Sequence, residues 1–175
     1  MGSDAAVRAA LVDEVMRRTG VCWLRYAGSQ RARPAWHLWR DGAAYVVSGD
    51  GEQPLPGIER AAEATVVTRT KDSRERLLAW TAHVAQVSTT DDGYDDIVAA
   101  LIAGRLNHGN PAQVRRAWAI GCTITRLTPT GVLDEDPAAM PDDDHAAAPP
   151  LTPAITRSRL LPMQPERQTR RHDLG

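Results

Sequence analysis

Residues 34–57 read PAWHLWRDGAAYVVSGDGEQPLPG, and the order of residue types in this stretch decides the fold. A run rich in Trp, His and Leu reaches Asp41-Gly42 and continues through Tyr45-Val46-Val47. Asp-Gly between two β-favouring runs signals a hairpin, because both residues tolerate the positive φ of a tight turn. Over residues 35–40 the strand period of two puts Trp36 and Leu38 on one face and His37 and Trp39 on the other, so both faces need cover. After the hairpin, residues 48–53 are polar and glycine-containing, and the prolines and glycine of 54–57 stop the run. A rigid hairpin opening into such a loop is a place to hold a small polar ligand.

Working outward toward the N-terminus, residues 21–26 read as a strand. Residues 4–19 read as a helix, with Val7, Leu11 and Val15 four apart and Val12 and Met16 widening the stripe. Ser3 or Asp4 suits its N-cap, and Gly20 stops it after the basic last turn of Arg17 and Arg18. The expected role of this helix is to cover the end of a barrel or sheet. Toward the C-terminus, 56–62 is expected to be a short helix or turn, 64–70 a strand, and 71–76 a polar loop. The longest strand, 77–87, should share Leu78, Trp80, Ala82 and Val84 on one face. A second helix spans 91–106, its buried stripe being Ile97, Val98, Leu101 and Ile102 and its acidic start facing the positive end of the helix dipole. Residues 107–111 break it, a short turn includes 114–118, and 121–128 is the last strand. Six short strands, two helices and no βαβ rhythm predict a mainly β fold, an antiparallel barrel or sheet with helices at its margins.

With 175 residues, 42% of them hydrophobic, the chain is expected to form one body over residues 1–132. Residues 133–175 form a contrasting tail: seven of the twelve prolines lie there, with six acids between Asp134 and Asp144 and five arginines between Arg157 and Arg171. Such a segment buries too little apolar area to offset its ordering entropy, so it reads as disordered, with Ile155 and Leu160-Leu161 as the only docking elements.

The net charge of −1, from 21 basic and 22 acidic residues, gives no basic surplus for a nucleic-acid partner. Arginine supplies all the side-chain cations except Lys71. No signal-peptide-like stretch or run of about 18 apolar residues is present, so the expected setting is cytoplasmic, with no membrane partner. Cys22 and Cys122 lack metal-type spacing and read as reduced core thiols, near neighbours if the first and last strands pair. The five histidines are scattered, which argues against a dedicated zinc site. No Gly-x-Ser-x-Gly elbow or P-loop occurs, and Gly49-Asp50-Gly51 lacks the third glycine and following helix of a dinucleotide fingerprint. So little visible catalytic apparatus favours cofactor-borne chemistry or pure binding.

The order helix, strand, WHLWRDGAAYVVSGDGE, a Pro-Gly turn, ATVVTRTKD, RLLAWTAHVAQV and a closing CTITRLTPTG resembles the pyridoxamine 5′-phosphate oxidase-like, flavin-binding split-barrel proteins of actinobacterial type, over about residues 20–130. The resemblance implies a six-stranded antiparallel split barrel, a homodimer, and FMN or a deazaflavin in grooves at the subunit interface. It also implies oxidoreductase chemistry carried by that small-molecule cofactor. Carried onto this chain, the phosphate grip falls on Ser48 after the third strand and on Arg69, Thr70 and Lys71 after the fourth. His37 and Trp39 flank the ring. Where many relatives place basic residues after the third strand, this chain has Glu52-Gln53-Pro54-Leu55-Pro56, in which Glu52 repels a phosphate and Pro54 lacks an amide donor. The alternative is a cofactor-free split barrel serving as a binding or interaction module.

Overall fold

The segment predicted as one strand over 35–40 is where the sheet closes on itself. In the computed structural model, which describes residues 2–29, 31–69, 76–105 and 110–135, it forms two strands separated by His37 alone. These are β2 (Arg33–Trp36) and β3 (Leu38–Arg40). The others are β1 (Val21–Tyr26), β4 (Ala43–Gly49), β5 (Glu63–Arg69), β6 (Arg76–Gln86) and β7 (Cys122–Glu135). All pairings are antiparallel, in the order β2-β1-β5-β6-β7-β4-β3. The two ends of that order are consecutive in the chain. The sheet therefore curls into a barrel of six walls, one of them bent at His37.

Alternation decides what lies inside. Cys22 and Leu24 of β1, Ala44 and Val46 of β4, Ala64 and Val66 of β5, and Leu78, Trp80 and Ala82 of β6 all belong to one buried cluster. The face predicted for residues 78–84 is thus the interior face, with Val84 packed at its margin. Helix α1 (Gly2–Arg18) adds Val12, Val15 and Met16 to this cluster, while residues 4–11 are exposed. It stops one barrel end, as expected, with only its C-terminal half. At the other end Leu55 and Ile58 enter the same cluster from the loop after β4, which contains a short 3-10 turn (Ile58–Arg60). Tyr26 Oη donates to Pro56 O (3.2 Å) and Gln86 Nε2 to Glu59 O (3.0 Å), fixing that loop across the opening. The barrel interior is occupied by the protein's own side chains.

A second cluster lies outside the wall. Helix α2 (Tyr94–Gly104) and α3 (Pro111–Gly121) bury Val98, Leu101, Ile102 and Trp118 against Ala43, Tyr45, Val47 and Ile124, with Trp36 and Leu38 alongside. Of the stripe expected for α2, Ile97 is the one residue only partly buried. Both faces of β4 are consequently covered within one chain, so the hairpin does not present a free surface there.

Helix α3 replaces the expected short turn: Asn110 caps it by accepting from Ala112 N at 2.9 Å, and Pro111 takes the first position, where its missing N–H costs nothing. Strand β7 runs to Glu135, past the expected end at residue 128, with register shifts against β6 on either side of Trp80. The two cysteines are free, and β1 and β7 are not neighbours in the sheet. Among the described residues no helix is long and apolar enough to cross a membrane. The tail expected over 133–175 lies outside the described residues beyond Glu135.

Candidate functional site

His37 and Trp39, the expected ring-flanking pair, both turn toward α1. The buried His37 ring holds Met16 O through Nε2 at 3.2 Å, and its backbone amide donates to Gly20 O. With Nε2 donating to a carbonyl, Nδ1 carries the lone pair, and it is buried without a hydrogen-bond partner. Burial lowers the His37 pKa, and the Met16 carbonyl only partly offsets this. Trp39 donates Nε1–H to Asp13 Oδ1 (2.8 Å) and meets Trp80 edge-on, ring centroids 6.2 Å apart. Asp13 also accepts from Arg17 (2.7 Å), and these two donors hold its carboxyl below the usual range. The pair fastens helix to barrel.

An acid-stability prediction follows from His37. Its folded pKa lies below the unfolded value near 6.5, so the unfolded chain binds more protons at mildly acid pH. Stability is full above about pH 6.5 and falls as pH drops below it, by up to about 1.4 kcal/mol per unit. His37→Gln keeps a donor for Met16 and does not titrate. Urea unfolding of both proteins at pH 7 and pH 5 should show the wild type losing more stability than the variant, and equal losses would refute the assignment.

Ser48 and Arg69, the expected phosphate ligands, stand on opposite faces of the wall. Ser48 follows Ala44 and Val46 on the interior side of β4 and is buried. Arg69 lies outside, its guanidinium 5.4 Å over the Trp23 ring. Two walls separate β4 from β5 in either direction round the barrel. The structure does not bring the two residues together. Thr70 and Lys71 lie outside the described residues.

The loop after β4 is held by its own side chains. Glu52, whose side chain is 4% exposed, accepts from Arg105 Nη1 and from Trp118 Nε1 (2.8 Å), and the Arg105 guanidinium lies 6.0 Å over the Trp118 ring. Gln53 bonds the Trp36 backbone twice, at 2.7 and 3.1 Å. Asp50 N donates to Gly121 O (3.0 Å), and Cys122 Sγ contacts Asp50 O at 3.6 Å. Burial, then the neighbouring carboxylates Glu52 and Asp50, push the Cys122 thiol up, while full burial pushes Cys22 up to about 12. Neither thiol has the electropositive setting of a nucleophile.

A separate open surface lies on the outer face of β1, β5 and β6, where Trp23 is half-buried and Arg25 exposed while Val67 and Ala79 are buried. Ladder pairing puts Trp23, Val67 and Ala79 in one row and Arg25, Thr65 and Thr81 in the next. A groove of about 560 Å³ runs along it, lined by Arg25, Tyr26, Ser29, Glu63, Thr65 and Thr81 among others. The groove itself holds the Arg25 guanidinium, several hydroxyls and the Glu63 carboxylate, and the Trp23 indole with the Arg69 guanidinium over it lies beside the groove rather than in its lining. Together they offer a stacking surface and cationic donors for an anion, with one carboxylate opposing it. None of the site residues expected from the sequence lies on β1. The signal available there is the alternation of Trp23 and Arg25 with buried Cys22 and Leu24.

No protein-family model matches the sequence, and no curated protein matches it. Among solved structures the chain is similar to a candidate pyridoxamine 5′-phosphate oxidase from Listeria innocua, at 15% identity over 70% of this chain and 93% of that one, with a TM-score of 0.49. It is similar to the heme storage protein HutZ of Vibrio cholerae, at 13% identity over 70% and 89%, with a TM-score of 0.49. It is also similar to the flavocytochrome Anf3 of Azotobacter vinelandii, at 13% identity over 91% and 86%, with a TM-score of 0.39. Likenesses this distant say nothing of ligand or reaction. The chain's own topology is that of a split barrel: a seven-stranded antiparallel sheet curled onto itself, broken at His37 and stopped at one end by α1.

Proposed function

We propose that this chain binds a phosphorylated, planar ring compound on the outer face of β1, β5 and β6, FMN or a deazaflavin being the class that its sequence resemblance implies. The observation that carries the reading is the Arg69 guanidinium over the half-buried Trp23 ring, beside a groove that also offers Arg25 and the hydroxyls of Thr65 and Thr81. In this reading the ring stacks on the Arg69–Trp23 pair, a guanidinium plane over an indole being itself a stacking surface, and Arg25 binds the phosphate through charge-assisted hydrogen bonds. His37, Trp39 and Ser48 serve the scaffold, since their side chains turn to α1 or the barrel interior. A bound flavin supplies the redox chemistry, and oxidoreductase activity is then the cofactor's own, with the protein binding and orienting it. A homodimer that covers this open face, in a cytoplasmic setting, belongs to the same reading.

Titration with FMN, followed by flavin absorbance and by quenching of tryptophan fluorescence, tests it. Binding should weaken at least tenfold, about 1.4 kcal/mol, in Arg69→Ala, and quenching should fall in Trp23→Leu. Light scattering on the same samples reads the dimer. No spectral change with FMN or deazaflavin would sink the cofactor reading. It would favour the second, a cofactor-free binding module, to which one observation already leans: the loop after β4 is filled by Glu52 and Gln53.

A further inference from the structure

Trp36 ends β2, one residue before the interruption in the sheet. Its neighbours face β1: Ala35 pairs with Cys22, and the His37 amide donates to Gly20 O at 3.3 Å. Successive residues of a strand turn their N–H and C=O to opposite sides, so the backbone of Trp36 points away from β1, toward β4. The β3–β4 ladder begins only at Leu38, opposite Tyr45, and leaves this donor and acceptor without a strand partner. The Gln53 carboxamide takes that place, Oε1 accepting from Trp36 N at 2.7 Å and Nε2 donating to Trp36 O at 3.1 Å. A primary amide supplies both a donor and an acceptor, as a facing strand residue does.

Gln53 is itself set beside β4 by a parallel bridge to Ser48. The adjacent residue, Glu52, reaches the other way, to Arg105 just beyond α2 and to Trp118 of α3. The Trp36 and Trp118 rings, 6.5 Å between centroids, join the two halves. We infer that Glu52 and Gln53 form a seal across the split of the barrel, Gln53 completing the ladder at Trp36 and Glu52 fastening α2 and α3 over it, so that this mouth admits no ligand. The place where the resemblance puts one arm of a phosphate grip is filled by two side chains of the protein itself.

Hydrogen exchange at the Trp36 amide reads the seal directly, since its protection depends on the partner it has. Gln53→Ala should lower the Trp36 protection factor about tenfold or more, the equivalent of a lost buried hydrogen bond. Gln53→Glu keeps an acceptor for the Trp36 N–H and loses only the donor to its carbonyl, so its loss of protection at neutral pH should be smaller than that of alanine and should recover in acid as the carboxyl becomes a donor. Unchanged protection in both variants overturns the inference. So does a tenfold loss of FMN affinity in Gln53→Ala with Trp36 protection intact, because Gln53 would then be holding ligand. Failure of the ligand reading looks different: no FMN binding by the wild type, with the exchange results as expected.

Discussion

Gly49→Ala should lower stability by about 3 kcal/mol or more and the unfolding midpoint by on the order of 10 °C. Gly49 closes β4 opposite Cys122 with φ at 133°, a conformation open in practice to glycine alone. A Cβ there would stand 2.2 Å from Gly121 O and 2.8 Å from Cys122 Cα, both backbone atoms at the α3–β7 junction. Neither can swing aside as a side chain could, so strand, junction or both must move. Gly51→Ala provides the control. Its φ is +74° and a Cβ there would meet nothing within 4 Å, so only the left-handed conformation counts against it, at about 1 kcal/mol. Thermal and urea unfolding of the two variants should separate them clearly. Equal, small losses would show that β4 and the junction are not locked at Gly49.

That lock also shows what the sequence could reveal. Gly49 sits in a loop that reads as turn-like from its glycines, and the reading is right as far as it goes. The reason for glycine is a backbone from 72 residues later in the chain, Gly121, packed on it, and no local pattern announces that approach. Strands were legible because alternation is local: Leu78, Trp80 and Ala82 each fall on the interior face, as their spacing requires. The first helix was legible in extent but not in its full stripe: Val7 and Leu11, expected to face inward with Val15, are exposed, and only Val12, Val15 and Met16 pack on the barrel. Helix α3 was not, since its inward stripe is little more than Val114 and Trp118, four apart, and Asn110-Pro111 reads equally as a break or as an N-cap with proline in the first turn. Pro129 and Gly131 likewise suggest an end to β7, yet the strand continues through them with register shifts against β6. The candidate site divides along the same line. Arg69 enters through the family resemblance, whereas its partner Trp23 depends on β1 lying beside β5, a pairing the hairpin at 34–57 does not predict.

Glu52→Ala is expected to cost about 3 kcal/mol, and Glu52→Gln about half of that. The glutamate side chain is nearly enclosed, at 4% exposure, while Arg105 remains 28% exposed. This asymmetry sets the size of the effect. On truncation, Arg105 can turn its charge to water, so the loss stays toward the lower end of the range for a broken buried ion pair. Trp118 has no such recourse: it is 3% exposed, and its Nε1–H loses the acceptor it meets at 2.8 Å. An indole donor buried without a partner accounts for about 1–3 kcal/mol by itself. Glutamine retains a carbonyl oxygen for Trp118 and gives up only the charge facing Arg105, hence the smaller loss. The order alanine worse than glutamine, measured by urea unfolding, is what distinguishes a carboxylate used as an acceptor from one used mainly for charge. Losses that are equal would assign the effect to the ion pair alone, and a loss under about 0.5 kcal/mol for alanine would remove Glu52 from the scaffold altogether. A stabilising alanine variant would carry the opposite meaning, because a carboxylate kept at an energetic cost in a buried mouth is what a binding residue looks like.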